Sequence, residues 1–250
     1  MPPQIPGERH PRFQQDDFGG GTPPPSPYDF AADMQPERSG PDWENTTLPL
    51  FGRWWSTVTA VFSRPTETFQ NMRLEGGVGS PLVFGIIGGT LGSIAASIWN
   101  MLFNGLGFAA QMGAGGSEEE VAMAGAQLVM GLLFGVCLAP VFVAIGLFIS
   151  SGITHVMLMI LGGAQQGFET TFRCTSYVSG ALSLLNIIPF CGGCVYLVWY
   201  IIAMATALAN THDISLGKAY AAVLLPIILC LGLAVGGFFL IFGAAIMSSM

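Results

Sequence analysis

The 250-residue chain is poor in charge: 9% of its residues are Asp, Glu, Lys or Arg and 52% are apolar, where a typical soluble domain is about a quarter charged. The net charge of −7 gives nucleic acid nothing to bind, and residues 121–168 hold no charged side chain at all. A helix needs about 20 apolar residues to cross the ~30 Å hydrocarbon layer. Composition therefore excludes a soluble domain and makes the lipid bilayer the solvent.

The acidic balance belongs mainly to the first stretch. Residues 1–48 carry Arg9, Arg12 and Arg38 against eight acids, a net of −5. They also carry a glycine run from Gly19 to Gly21 and the cluster Pro23 to Pro27, with few large aliphatics. Such a segment cannot bury enough apolar surface to offset its ordering entropy, so a disordered cytoplasmic tail is expected over 1–48. It has no apolar signal-peptide core, so the first span is expected to direct insertion. The scarcity of lysine (Lys218 alone) beside abundant Gly and Ala points to a high-GC bacterial source, hence a bacterial inner membrane.

From Leu50 the apolar residues Leu50, Phe51, Trp54, Trp55, Val58, Val61 and Phe62 form one broad stripe of a 3.6-residue helix. Arg53, Ser56, Thr57 and Thr59 lie opposite, with Arg64 just beyond. Two tryptophans beside arginine suit the headgroup layer, and the reading is an interfacial amphipathic helix with Trp54, Trp55, Val58, Phe62 and Arg53 at the membrane. Pro65 ends it.

Ser80 and Pro81 read as a helix start, followed by a first span over 82–103. Its small residues Gly85, Gly89, Ser93 and Ser97 repeat every four positions, flanked by Gly88, Gly92 and Ala96, and form a close-packing face whose partner the sequence does not name. Ser117 with Glu120 forms a capping box for the next helix. That helix continues to about 161, roughly 65 Å at ~1.5 Å per residue. It is read as one span over 128–161, kinked at Pro140 and preceded by turns outside the bilayer, since no polar turn divides it. Glu169 and Arg173 stand i, i+4 at the start of a third span over 170–188. A fourth (193–209) and a fifth (217–247, with Pro226 inside) follow. The fold class is thus all-α: a five-span helical bundle over 49–250 behind the tail. Every Lys and Arg falls on the tail, the pre-membrane segment or the loops near 162–173 and 210–218, which places the N-terminus in the cytoplasm and the C-terminus outside.

The search for chemistry returns little. His155 near the end of the second span reads as a local structural hydrogen bond, because His10 and His212 lie in the tail and a loop. Cys191 and Cys194 form a lone C-x-x-C, read as a local disulfide or two idle thiols; two cysteines cannot fill a zinc site. Phosphate loop, nucleophile elbow and paired catalytic carboxylates are all missing. The reading carries no catalytic residue, metal, cofactor or small-molecule substrate.

The order of short motifs on these spans resembles the Yip membrane-domain family. Pro65 to Phe69 is similar to the family's pre-membrane P-x-x-x-F segment. Ser80-Pro81-Leu82 precedes the first span, and His155 stands seven before Gly162 and Gly163. Phe168, Arg173 and Tyr177 follow, then Pro189, and His212 to Ser215 precede Lys218. The resemblance implies a helical five-span domain with a cytoplasmic amino-terminal region. In eukaryotes such proteins serve vesicle traffic and organelle shape through partners, without catalysis. The expected function is accordingly a non-enzymatic scaffold, partner-binding or membrane-shaping component that meets other membrane proteins or itself. A small-solute transporter or channel and a periplasm-facing thiol oxidoreductase using Cys191 and Cys194 are the alternatives.

Overall fold

The computed structural model describes residues 38–248, and among them all regular structure is helical. A 3-10 turn (Asp42–Glu44) leads to α1 (Leu50–Ser63), α2 (Pro65–Gln70), α3 (Gly79–Gly113) and α4 (Glu118–Leu132). A π turn (Leu133–Cys137) joins α4 to α5 (Ala139–Ile160). Then come α6 (Phe168–Leu182), extended by a 3-10 turn (Ser183–Ile187), α7 (Gly192–Thr211) and α8 (Leu216–Ser248). Of the tail expected over 1–48, residues 1–37 with the proline cluster lie outside the described residues. Residues 38–48 are not a free tail: Trp43 is 4% exposed and sits in the core.

The glycine face of α3 has two partners. A Cβ on Gly85 would meet Leu147 at 2.6 Å, one on Gly89 would meet Val143 at 2.6 Å, and one on Gly135 would meet the Ser97 hydroxyl. As the α3 number rises the partner's number falls by nearly the same amount, so α3 and the run α4–π turn–α5 form one continuous antiparallel pair. The π turn adjusts that pair without reversing it. Its cause is Pro140, which has no N–H for the carbonyl four residues back, and the Leu138 N–H closes instead on Leu133 O at 3.2 Å. The second face, Gly88 and Gly92, lies on α6. A Cβ on Gly88 would run into Gly180 O, and one on Gly92 into Ser183 O. Backbone against backbone, with no room for a methyl group between, is what small residues permit between membrane helices.

Helix starts follow the sequence in one case and depart from it in another. Ser117 and Glu120 make the expected reciprocal cap on α4. Ser80 does not cap α3, which begins one residue earlier at Gly79 with no side-chain cap; the Ser80 carbonyl instead accepts from Trp43 Nε1 at 2.8 Å.

Five helices are long and apolar enough to cross a membrane: Gly79–Ala110, Glu118–Cys137, Ala139–Ile160, Gly192–Thr211 and Leu216–Phe238. The run 118–160 contributes two of them and the expected span 170–188 none. At 15 residues α6 is shorter than these, and it is the polar axis of the bundle. Thr170, Thr171, Arg173, Thr175 and Ser176 are all buried on it, covered by other helices rather than by lipid.

The glycine contacts yield a test. Gly88→Ala should cost about 1–3 kcal/mol of stability, because backbone must move to admit the methyl group. Gly152→Ala, where an added Cβ meets nothing within 4 Å, should be neutral or stabilise by up to ~1 kcal/mol. Thermal unfolding of the full chain in nanodiscs checks this, and equal midpoints for the two variants would remove Gly88 from the contact.

Candidate functional site: a buried ionic clamp beside a histidine chain

Glu169, Arg173 and Tyr177 recur every four residues on α6 and so share one face. That face holds the amino-terminal segment against the bundle. Glu169 Oε1 accepts from the Gly77 N–H at 2.6 Å, and Thr170 Oγ1 donates to Leu74 O at 2.9 Å. Arg173 is fully buried and uses three nitrogens: Nε donates to Arg73 O (2.8 Å), Nη1 to Gly77 O (3.0 Å), and Nη2 to the Glu44 carboxylate. The Tyr177 hydroxyl donates to the same Glu44 oxygen at 2.6 Å. Gly77 lies in the left-handed region at φ 87°, a backbone conformation that L side chains rarely adopt. Its N–H and C=O both reach α6. The expected i, i+4 pair of Glu169 with Arg173 does not form; each residue is taken by the incoming segment.

The 3-10 turn at Asp42–Glu44 ties this clamp to α1 and α3. The Trp43 N–H donates to Thr57 Oγ1 at 2.8 Å, and its ring stands edge-on to Phe84, centroids 5.6 Å apart. The Arg53 guanidinium lies 4.8 Å from the Trp43 ring centroid, and Ser56 donates to Asp42.

A few residues away, α5, α6 and the α7–α8 loop meet through hydrogen bonds. His155 Nδ1 lies 2.9 Å from Thr171 Oγ1, which lies 3.0 Å from His212 Nε2. His212 Nδ1 accepts from the Gln166 N–H at 3.2 Å. The two imidazoles are 6.3 Å apart, centroid to centroid. Burial, with His155 nearby, pushes the His212 imidazole down to about 4. His155 does make a local hydrogen bond, but His212, set aside in the sequence as a loop residue, proves to be the other end of the same chain.

The other singled-out residues separate clearly. Of the proposed membrane helix, Trp54 and Val58 face inward and are buried with Val61, Phe62 and Arg53 are half-buried, and Trp55 is exposed. The apolar stripe is wide enough to serve two surfaces, and the bundle takes the half centred on Trp54 and Val58. Pro65 starts α2, and Phe69 beneath it is buried. Gly162 ends α5 with φ 63°, and Gly163 packs on Ile214, which brings the Gly162–Gly163 corner to the His212–Ser215 loop. Ser215 Oγ accepts from Lys218 N at 3.5 Å. Pro189 lies beyond the far end of α6, as do Cys191 and Cys194, both exposed free thiols. Among the described residues no three His, Cys, Asp or Glu side chains are grouped to hold a metal ion.

The sequence reasoning missed Glu44. A carboxylate 129 residues from its partner has no local spacing rule to reveal it. The one available signal was that Arg173 sits in an otherwise uncharged span and so needs an acid from elsewhere.

The clamp makes its own prediction. Arg173→Leu and Glu44→Leu each leave a buried charge alone and should each cost about 3–5 kcal/mol, whereas the double variant should recover most of it. Thermal melts, with protease sensitivity of residues 38–77, measure this. Single variants as stable as the parent would mean that the pair does not hold the segment.

Two comparisons with known proteins return nothing: neither the curated proteins nor the solved structures contain a match to this chain. The third is positive. The sequence profile of the Yip1 domain matches residues 59–243, from the middle of α1 through most of α8. That match covers well over half of the chain, includes the histidine chain and the arginine of the clamp, and shows that this membrane protein belongs to the Yip1 domain family.

Proposed function

We propose that the protein is a non-catalytic membrane scaffold that uses α1, held in place by the clamp, to present an aromatic strip to the lipid surface at the cytoplasmic face. The observation that carries this reading is the division of the α1 stripe. Trp54, Val58 and Val61 are committed to the bundle, while Leu50 and Phe51 are 59% and 72% exposed and Trp55 is 49% exposed. Phe51 and Trp55 stack in near-parallel planes, centroids 6.5 Å apart. Exposed aromatics on a pre-membrane helix, flanked by Leu48 and near Arg64, suit the half-wet headgroup layer. The cytoplasmic assignment rests on the positive residues. Arg53, Arg64 and Arg73 lie in the pre-membrane segment, Arg173 near the start of α6 and Lys218 near the start of α8. The described far loops carry no Lys or Arg.

A second reading, passage of a small uncharged solute, is favoured by one feature. A cavity of about 260 Å³ between α3, α5, α6 and α7 is lined by Ser150, Ser179, Ser183, Asn186, Tyr196 and Tyr200. It adjoins the point where α6 tightens into its 3-10 turn. Polar cavities beside broken helices are where membrane transporters bind solute. Its lining is wholly uncharged, which suits a structural polar seam between helices equally well, and the scaffold reading keeps precedence.

The test separates the two halves of α1. In the full chain, Phe51→Asp with Trp55→Asp should leave the melting temperature within a few degrees of the parent. Quenching of Trp55 by brominated lipid, read in a variant whose other four tryptophans are phenylalanine and whose melting temperature matches the parent's, should be strong and should vanish with Phe51→Asp. Trp54→Asp should instead unfold the segment, since burying one large side chain contributes about 1.5–3 kcal/mol. Absence of lipid quenching at Trp55 would transfer the strip to a protein partner, which a photo-crosslinker at Phe51 would capture. A reporter active only outside the cytoplasm should be silent after Gly163 and active after Gly113; the reverse pattern would overturn the orientation.

A further inference from the structure

We propose that the His155–Thr171–His212 chain is a proton-binding latch that joins α5, α6 and the α7–α8 loop, and that a proton taken up on His212 releases the 161–167 loop. The argument is an accounting of donors. The Gln166 backbone N–H can only donate, so His212 Nδ1, which it meets at 3.2 Å, must carry no proton. The neutral ring therefore keeps its proton on Nε2 and gives it to Thr171 Oγ1 at 3.0 Å. The threonine hydroxyl has one proton of its own, and His155 Nδ1 stands 2.9 Å away to receive it. One direction of donation, from Gln166 through His212 and Thr171 to His155 Nδ1, satisfies all three contacts.

An added proton is tolerated at one ring and not at the other. On His155 Nδ1 it turns that nitrogen into a donor, and Thr171 Oγ1 has two lone pairs, enough to accept from both rings. On His212 Nδ1 it sets N–H against the Gln166 N–H. Flipping the ring would put carbon where nitrogen is needed. The hydrogen bond between the α5–α6 loop and the α7–α8 loop must then open, while the apolar seat of Gly163 on Ile214 remains.

Nothing facing His212 offers a counter-charge. From α6, Glu169 is bonded to Gly77, Arg173 to Glu44, and Cys174 Sγ lies 3.3 Å from Thr211 Oγ1. From α5 the neighbour is His155, whose cation would repel a second one. In its own loop Asp213 is exposed, as is Lys218 on α8. His212 is thus lowered from its ordinary value to about 4, with burial as the first cause. The sign follows: a histidine whose folded value is depressed stabilises the fold fully above its unfolded value of ~6.5. That contribution is lost progressively as pH falls toward about 4.

The chain has three histidines, His10, His155 and His212, which makes a direct reading practical. The full chain is labelled with 15N-histidine and placed in nanodiscs. At pH 7 the ring nitrogens should report His212 as the Nε2–H tautomer, still neutral at pH 5, well below the ~6.5 of a free imidazole. Amide exchange at Gln166, corrected for its intrinsic rate, should accelerate about fivefold between pH 5 and 4, in step with the protonated fraction of a group that titrates at about 4. His212→Gln should abolish that acceleration. Should this variant fail to fold, Thr171→Val serves instead: it takes away the acceptor of the His212 Nε2 proton, which disfavours the charged ring and should move the acceleration to lower pH. A His212 that titrates near the free-imidazole value of ~6.5, that carries its proton on Nδ1 at pH 7, or that is protonated with no change at Gln166 overturns the proposal.

Discussion

Arg173 cannot shed its charge at any relevant pH, yet its side chain is 1% exposed. A buried guanidinium with donors to spare must find acceptors or the fold fails. The arrangement of the clamp end follows from that demand. Glu44 supplies the counter-charge, and the carbonyls of Arg73 and Gly77 take two further donors. All three acceptors lie on the segment that precedes the first long helix. One side chain on α6 thus obliges 38–77 to fold back upon the bundle, and explains why Trp43 and Trp54 are core residues. Burial of such a pair adds little net stability over a well-packed apolar pair. Its effect is positional: it fixes where α1 lies, and therefore which aromatics stay outside.

A polar axis inside a membrane bundle also constrains its neighbours. Thr170, Thr171, Arg173, Thr175 and Ser176 must be kept from lipid, and only close-packed apolar helices can do that. The glycines of α3 meet this need geometrically. Gly88 and Gly92 let α3 touch the α6 backbone, while Gly85 and Gly89 admit side chains of α5 on the adjoining face. The helix with the highest polarity is therefore the most enclosed, and the most apolar helices form its sheath. Hydropathy alone ranks them in the opposite order of structural importance.

That inversion explains what could be read from the sequence and what could not. The long apolar helices, the α4 capping box and the break at Pro140 rest on local rules, and each was legible. The small-residue repeat in α3 was legible as a face, but its two partners were not, because periodicity gives direction and not identity. The segment 170–188 was read as one more span like the rest, and nothing local in it says that its polar side chains would be enclosed by the other helices. The boundary at residue 48 came from composition, and composition is blind to one carboxylate held by an arginine far along the chain. Likewise His212 sat among loop residues in the sequence. Only the fold, by seating Gly163 on Ile214, could bring it to Thr171 and His155.

The clamp and the histidine chain share α6: Thr170 and Arg173 reach toward the amino-terminal segment, while Thr171 reaches toward the other two helices. Residues one position apart on a helix point about 100° apart, so neighbouring side chains serve different surfaces of the same rigid rod. The consequence is mechanical. Opening at the His212 side removes a constraint on the start of α6, and that same turn carries the Glu169 bond to Gly77. The ion pair holds the amino-terminal segment through Glu44 and the carbonyls of Arg73 and Gly77, none of which belongs to the histidine chain. The amino-terminal segment therefore has a fixed anchor, while the loops beside it can respond.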